Sequence, residues 1–188
     1  MAKVYEFISN GSEEVEALIP VDVLRRAGVD IKIVSTTGEQ MITTSHGVNI
    51  LCDALIEDCD VSDADLLMIP GGLPGAENLC MHPLVRKAIK EQYEAGKLVS
   101  AICAGPMIFG SLGISQGRRM TCYPGFEDHL EGATYTEELV TVDGNVITGE
   151  GPAATFPYAY TLCEILCGKA TADSLREGMM FNHLMSAK

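Results

Sequence analysis

The stretches DLLMIPGG (Asp65–Gly72) and LVSAICAGP (Leu98–Pro106) each run from a buried-type strand pattern straight into a turn of small residues. Strands of this kind, apolar on both faces, belong to parallel sheets covered by helices on either side. Between them, Leu84 to Ala95 carries the apolar period of an amphipathic helix, so strand and helix alternate along the chain. This alternation predicts an α/β fold, a three-layer sandwich with a mostly parallel sheet and helices on both faces. With 188 residues, 47% of them hydrophobic, residues 1–188 are expected to fold as a single domain around one good core.

Other segments fit the same plan. Lys3 to Ile8 reads as a first strand, and Asn10-Gly11-Ser12 as a turn and helix cap, with Glu13 and Glu14 favourably placed against the positive end of the helix dipole. The following helix is expected to carry Val15, Leu18, Ile19, Val23 and Leu24 on one side, with a kink or break at Pro20 and an end at Gly28. Asp30 to Ser35 reads as a second strand and Met41 to Leu51 as a two-stranded excursion. VTVDGNVIT (Val140–Thr148) reads as a hairpin, and Ala153 to Leu166 as a last long helix.

A net charge of −13 argues against nucleic acid and against an anionic membrane surface as partners. No apolar stretch reaches the ~20 residues of a membrane span, and Met1–Tyr5 lacks the pattern of a secretory leader. The seven cysteines (52, 59, 80, 103, 122, 163 and 167) form no C-x-x-C pair and no metal-ligand spacing. That disfavours a disulfide framework and a metal site, and makes a reducing cytoplasm the expected compartment.

Cys103 stands apart because it falls where a strand pattern stops and a helix pattern, Met107 to Leu112, begins. In ligand-binding sheets of this kind the carboxyl ends of the strands hold the site. A sharp turn there would lift the sulfur above the sheet as a nucleophile elbow, with small Ala101, Ala104 and Gly105 allowing close approach of flanking chain. A position at a helix start would lower the thiol pKa below ~8.5, and the amides of Gly71 and Gly72 could serve a developing oxyanion. The competing reading is an inert buried thiol. That reading holds for Cys52, Cys163 and Cys167, whereas Cys59, Cys80 and Cys122 lie near turns with no base paired to them.

SAICAGP, PGGLPGAENL (Pro70–Leu79), SNGSEEVEALIPVDVLRRAG (Ser9–Gly28) and GEGPAATFPYA (Gly149–Ala159) together resemble the ThiJ/PfpI superfamily, and within it the Parkinson-disease-associated protein deglycase branch and its small bacterial relatives. The resemblance runs over nearly the whole chain in the same order. It implies a flavodoxin-like sandwich, a homodimer, no cofactor, and a reactive cysteine hydrogen-bonded by a glutamate that matches Glu16. Two like charges cannot share such a site, so one partner stays protonated, and a neutral Glu16 would donate to the Cys103 sulfur.

Departures from the family pattern concern the pocket. Tyr123 stands where the branch often has a histidine, with His129 further along the loop. Two family arginines match Arg26 and His46, Glu150 replaces an arginine or glutamine, and Ala153 replaces a glycine, which together make the pocket less basic. Ala104 removes the histidine that follows the cysteine in amidase and protease relatives.

The resemblance therefore implies attack by Cys103 on a small reactive carbonyl or a glycated adduct, of glyoxalase or deglycase type. In that chemistry Glu16 is the acid/base, the Gly72 and Ala104 amides hold oxygen, and Tyr123 stands in for the histidine. The alternative is a redox sensor or stress chaperone using the same oxidisable thiol. An amidase or protease would require a histidine within hydrogen-bond reach of Cys103.

Overall fold

The computed structural model describes residues 1–187. In chain order the strands are β1 (Lys3–Ile8), β2 (Asp30–Ser35), β3 (Met41–Thr43), β4 (Asn49–Leu51), β5 (Ala54–Leu55), β6 (Leu66–Ile69), β7 (Leu98–Ile102), β8 (Arg119–Met120), β9 (Thr134–Tyr135), β10 (Val140–Asp143) and β11 (Val146–Gly149). The helices are α1 (Glu14–Arg26), α2 (Gly75–Met81), α3 (Pro83–Glu94), α4 (Met107–Ser111), α5 (Thr155–Cys167), α6 (Lys169–Gly178) and α7 (Phe181–Ser186).

The main sheet has the order β10-β11-β7-β6-β1-β2-β5, and every pairing is parallel except the β10–β11 hairpin. Alternation along each strand sorts side chains to two cores. Val4 and Ile8 of β1 face the layer built on α1 and α5, whereas Tyr5 and Phe7 face the layer built on α2, α3 and α4. The result is the expected sandwich. Because β1 connects to β2 on one side while β6 and β7 lie on the other, the sheet has a topological switch beside β1, where its carboxyl-end loops separate. Among the described residues no helix is long and apolar enough to cross a membrane.

Several local expectations need correction around α1. The cap is Glu13, whose Oε2 accepts the Glu16 N–H at 2.7 Å, while the Ser12 hydroxyl instead accepts the Ser9 N–H within the turn. Pro20 neither breaks nor divides the helix, which runs from Glu14 to Arg26. The buried stripe is Glu16, Ala17, Pro20, Val21, Val23 and Leu24, so Val15 and Leu18 stand 39% and 38% exposed. A charged residue on the buried side shifted the true stripe away from the purely apolar one. Gly28, at φ +81°, ends the helix as expected. α2, α6 and α7 are additional to the helices read from the sequence. Of the cysteines read as lying near turns, Cys80 falls within α2, and both Cys80 and Cys122 are buried.

Candidate active site

Cys103 follows β7 directly and has φ +63°, in the left-handed region that a residue with a side chain seldom occupies. The turn is held by two backbone hydrogen bonds. The Cys103 N–H donates to the Gly149 carbonyl, and the Cys103 carbonyl accepts the Tyr123 N–H, both at 2.9 Å. A side chain at Gly105 would place its Cβ 2.9 Å from the carbonyl oxygens of Ile102, Ile69 and Pro70, so the close approach read from the small residues is required by the packing. The side chain is thereby lifted off the strand end as in a nucleophile elbow, yet the residue is only 8% exposed.

Glu16 reaches this turn from α1. Its backbone is fixed by the Glu13 cap, and its fully buried side chain accepts the Gly71 N–H on Oε2 at 2.9 Å. The Glu13-x-x-Glu16 spacing, which resembles a capping box, is the sequence signal that could have identified Glu13 as part of the site. Gly71 has no room for a side chain, because a Cβ there would lie 2.6 Å from Glu16 Oε2 and 2.7 Å from the Cys103 Cβ. The glycine is the spacer that lets carboxyl and thiol meet. Its amide is spent on Glu16, which leaves the Gly72 and Ala104 amides as the donors directed at the sulfur.

Burial pushes the Glu16 carboxyl up to about 7, with the charge of Glu13 adding to the rise; hydrogen bonding to Cys103 and to the Gly71 amide opposes it. The thiol is pushed up by burial first and then by the charge and hydrogen bond of Glu16, against the pull of the Ala104 and Gly72 amides. This reverses the expected depression, chiefly because the sulfur is buried. The helix that was to supply a dipole, α4, is only five residues long and begins four residues beyond Cys103. With both groups pushed up, first by burial, the site carries at most one negative charge near neutrality.

The other candidates divide into near and far. Tyr123 and Glu150 line one cavity of about 240 Å³ together with Pro124 and the Gly151–Ala154 segment. That cavity is tied to Cys103 through the Tyr123 and Gly149 backbone hydrogen bonds. His46 lies on the outer side of the α1 start, 70% exposed, with Nδ1 3.0 Å from Glu14 Oε1 and 4.0 Å from Glu13 Oε1. Arg26 pairs with Asp22 at 2.8 Å in the last turn of α1, ten residues from Glu16 and so about 15 Å along the helix. It is not brought to Cys103 within this chain. His129 packs on Phe126, and among the described residues no histidine is hydrogen-bonded to Cys103 or Glu16. Three of the other buried thiols are also pushed up, Cys52 and Cys163 to about 11 and Cys122 to about 12, chiefly by burial.

A strained cysteine at the carboxyl edge of a parallel sheet, facing a buried glutamate, defines a class of α/β proteins with a nucleophile-elbow thiol. Comparison with known proteins places the chain within that class. The family described as DJ-1/PfpI matches residues 2–165, and the chain belongs to this family. It is 38% identical to the Parkinson disease protein 7 homolog of Danio rerio, over 90% of this chain and 92% of that protein. It is 32% identical to the glutathione-independent glyoxalase DJR-1.2 of Caenorhabditis elegans, over 87% of this chain and 88% of that one. Protein DJ-1 homolog B of Arabidopsis thaliana is 39% identical over 90% of this chain, which spans about two fifths of that protein's length (39%). The crystal structure of Drosophila melanogaster DJ-1beta superposes with a TM-score of 0.92 at 30% identity, covering 95% of this chain and 97% of that one.

Proposed function

We propose that this protein is a cofactor-independent, cysteine-dependent enzyme that converts small dicarbonyls, or their early adducts, to hydroxyacids as part of stress protection. The observation that carries this reading is the pairing of a buried Glu16 carboxyl, anchored on one oxygen by Gly71, with the strained Cys103. The glyoxalase name of the Caenorhabditis elegans relative supports the same chemistry.

In the reactive form the single negative charge sits on sulfur and the proton on Glu16. The thiolate attacks the aldehyde carbon of methylglyoxal, a C–S bond forms, and the carbonyl electron pair moves to oxygen. That oxygen takes the proton from Glu16, giving a hemithioacetal. The Glu16 carboxylate then removes the hydrogen on the thiol-bearing carbon as a proton, and an enediol forms. Reprotonation at the neighbouring carbon yields a lactoyl thioester. Water cleaves the C–S bond, lactate leaves and the thiol is restored. The sum is addition of one water to methylglyoxal, with no net oxidation and no external electron acceptor. In this reading the Gly72 and Ala104 amides, which favour the charged sulfur, also stabilise the oxygen charge that develops beside it. The test is lactate formed per Cys103 from methylglyoxal, or glycolate from glyoxal. Many turnovers are expected, with loss to background in Cys103→Ser; one equivalent or none would refute the enzyme.

In the second reading, the redox sensor or stress chaperone, the same amides and the Glu16 acid would hold a sulfenic or sulfinic oxygen on Cys103. The 8% exposure of the residue limits the oxidant to a small peroxide. We further propose a homodimer through the outer face of α1 and the β3–β4 ribbon. Val15 and Leu18 on the helix and Met41, Val48 and Leu51 around the ribbon are large apolar side chains left exposed. The ribbon is fixed beside the start of α1 by Gly11 N–H to Thr43 carbonyl and Ser45 N–H to Ser12 carbonyl hydrogen bonds. The proposed compartment is a reducing cytoplasm, in keeping with seven free cysteines.

A further inference from the structure

Beneath the reactive turn, the layer between the sheet and helices α1 and α5 contains an unusual concentration of polar atoms without partners. Both carboxyl oxygens of Glu6, the Ser100 hydroxyl and the Tyr158 hydroxyl are buried with no hydrogen-bond partner of good geometry among the described residues. Glu6, Met68 and Ser100 are register neighbours across β1, β6 and β7, so Glu6 and Ser100 project to the same face on either side of Met68. Tyr158 descends on that face from α5, and its hydroxyl comes near Ser100 without reaching hydrogen-bonding geometry. Unpartnered groups at this depth are costly, and clustered ones signal a bound species.

We propose that Glu6, Ser100 and Tyr158 form an internal site for ordered water in which Glu6 is held as the neutral acid, and that this site is a positioning element for the Glu16–Cys103 pair. Water suits the chemistry, since it can accept from a carboxylic acid and a phenol and donate to a serine oxygen, supplying the two to four bonds that a buried water needs. A neutral Glu6 follows from its surroundings. It is 1% exposed, and the titratable or charged groups that act on it or feel it are Arg25 from α1, Cys52 after β4 and Tyr158 from α5. Arg25 is committed to Asp53 at 2.8 Å. Among the described residues no donor reaches Glu6 to support a carboxylate.

The connection to the thiol runs through Tyr158. This ring packs against Gly149, where an added Cβ would lie 3.1 Å from Tyr158 Cδ2, and the Gly149 carbonyl accepts the Cys103 N–H. The Tyr158 hydroxyl also feels the charge of both Glu6 and Glu16. The inference does not depend on dicarbonyl turnover, because it concerns only where the protons of the layer reside.

Two measurements test it. Infrared difference spectra at about pH 9 of Glu16→Gln, in which residue 16 contributes no carboxylic acid, should still show the band of a protonated carboxylic acid, and adding Glu6→Gln should remove it. The pH profile of Cys103 alkylation by iodoacetamide, read on the Cys103 peptide by mass spectrometry, should move by about half a unit or more in Glu6→Leu and in Tyr158→Phe, about threefold in rate at fixed pH. Glu6→Gln, which keeps a neutral hydrogen-bonding group, should restore the wild-type midpoint. If Glu6→Leu does not fold, Tyr158→Phe carries the second test. Absence of the acid band at pH 9, or a Tyr158→Phe profile superposed on wild type, would overturn the proposal.

Discussion

Glu16 is fully buried with a carboxyl pushed up to about 7 from the ordinary 4.5, first by burial. Below pH 4.5 the folded and unfolded chains both hold this proton. Between 4.5 and 7 the unfolded chain releases it while the folded chain retains it, so stability falls as pH rises through this window and levels off above it. Glu16→Gln removes that slope. Urea unfolding should find the variant more stable than wild type at pH 8, by at most on the order of 3 kcal/mol, with the gap closing by pH 4.5. A gap independent of pH would mean that Glu16 ionises freely in the fold. Gly71 offers a complementary prediction. Gly71→Ala forces a Cβ to 2.6 Å from Glu16 Oε2, so it should cost about 1–3 kcal/mol in unfolding experiments and at least ten times in dicarbonyl turnover. Wild-type turnover in this variant would show that the carboxyl–thiol spacing is not critical. Cys103 was legible from sequence because its strand, small neighbours and turn all coincide in SAICAGP. The direction of its pKa shift was not, since that depends on how deeply Glu16 and the sulfur are buried together.

The elements that carry the site were legible wherever apolar period and punctuation agreed. β1, β2, β6, the β3–β4 ribbon, α3, the β10–β11 hairpin and α5 all fall close to their expected spans. α1 was readable in extent but not in orientation. Its buried stripe includes the acid Glu16 and leaves Val15 and Leu18 outside, and a pattern of apolar residues alone cannot foresee a buried carboxyl on the core side. The cap was misplaced by one residue for a related reason. Ser12 has the commoner capping side chain, but its hydroxyl is already used by Ser9 N–H, and the role passes to Glu13. Glu13→Ala should therefore destabilise the fold by about 1 kcal/mol and loosen the start of α1 on which Glu16 is held. Hydrogen exchange of the Glu16 amide is the measurement. Faster exchange there than in Glu13→Gln, which keeps an acceptor, is expected; equal protection in both variants would show that the cap does not fix Glu16.

The parallel sheet with its carboxyl-edge site is the property of the whole chain that sequence conveyed most fully, because alternating elements leave few other arrangements. Assembly was legible only through family resemblance. In three dimensions its support is the exposed apolar face of α1 and the ribbon, on a chain whose net charge of −13 otherwise keeps copies apart. Leu18→Glu together with Val15→Glu should convert a dimer to a monomer in light scattering without changing the circular dichroism; an unchanged dimer would place the interface elsewhere. In the proposed mechanism Glu16 and Cys103 share one proton, and that sharing is measured most directly by the pH profile of Cys103 alkylation in wild type and Glu16→Leu. If a neutral Glu16 donates to the thiolate, the leucine variant loses that donor in an equally buried site, and its midpoint moves to higher pH. A midpoint that moves lower would show that Glu16 acts on Cys103 only as a repelling charge, and would contradict the acid/base role assigned to it.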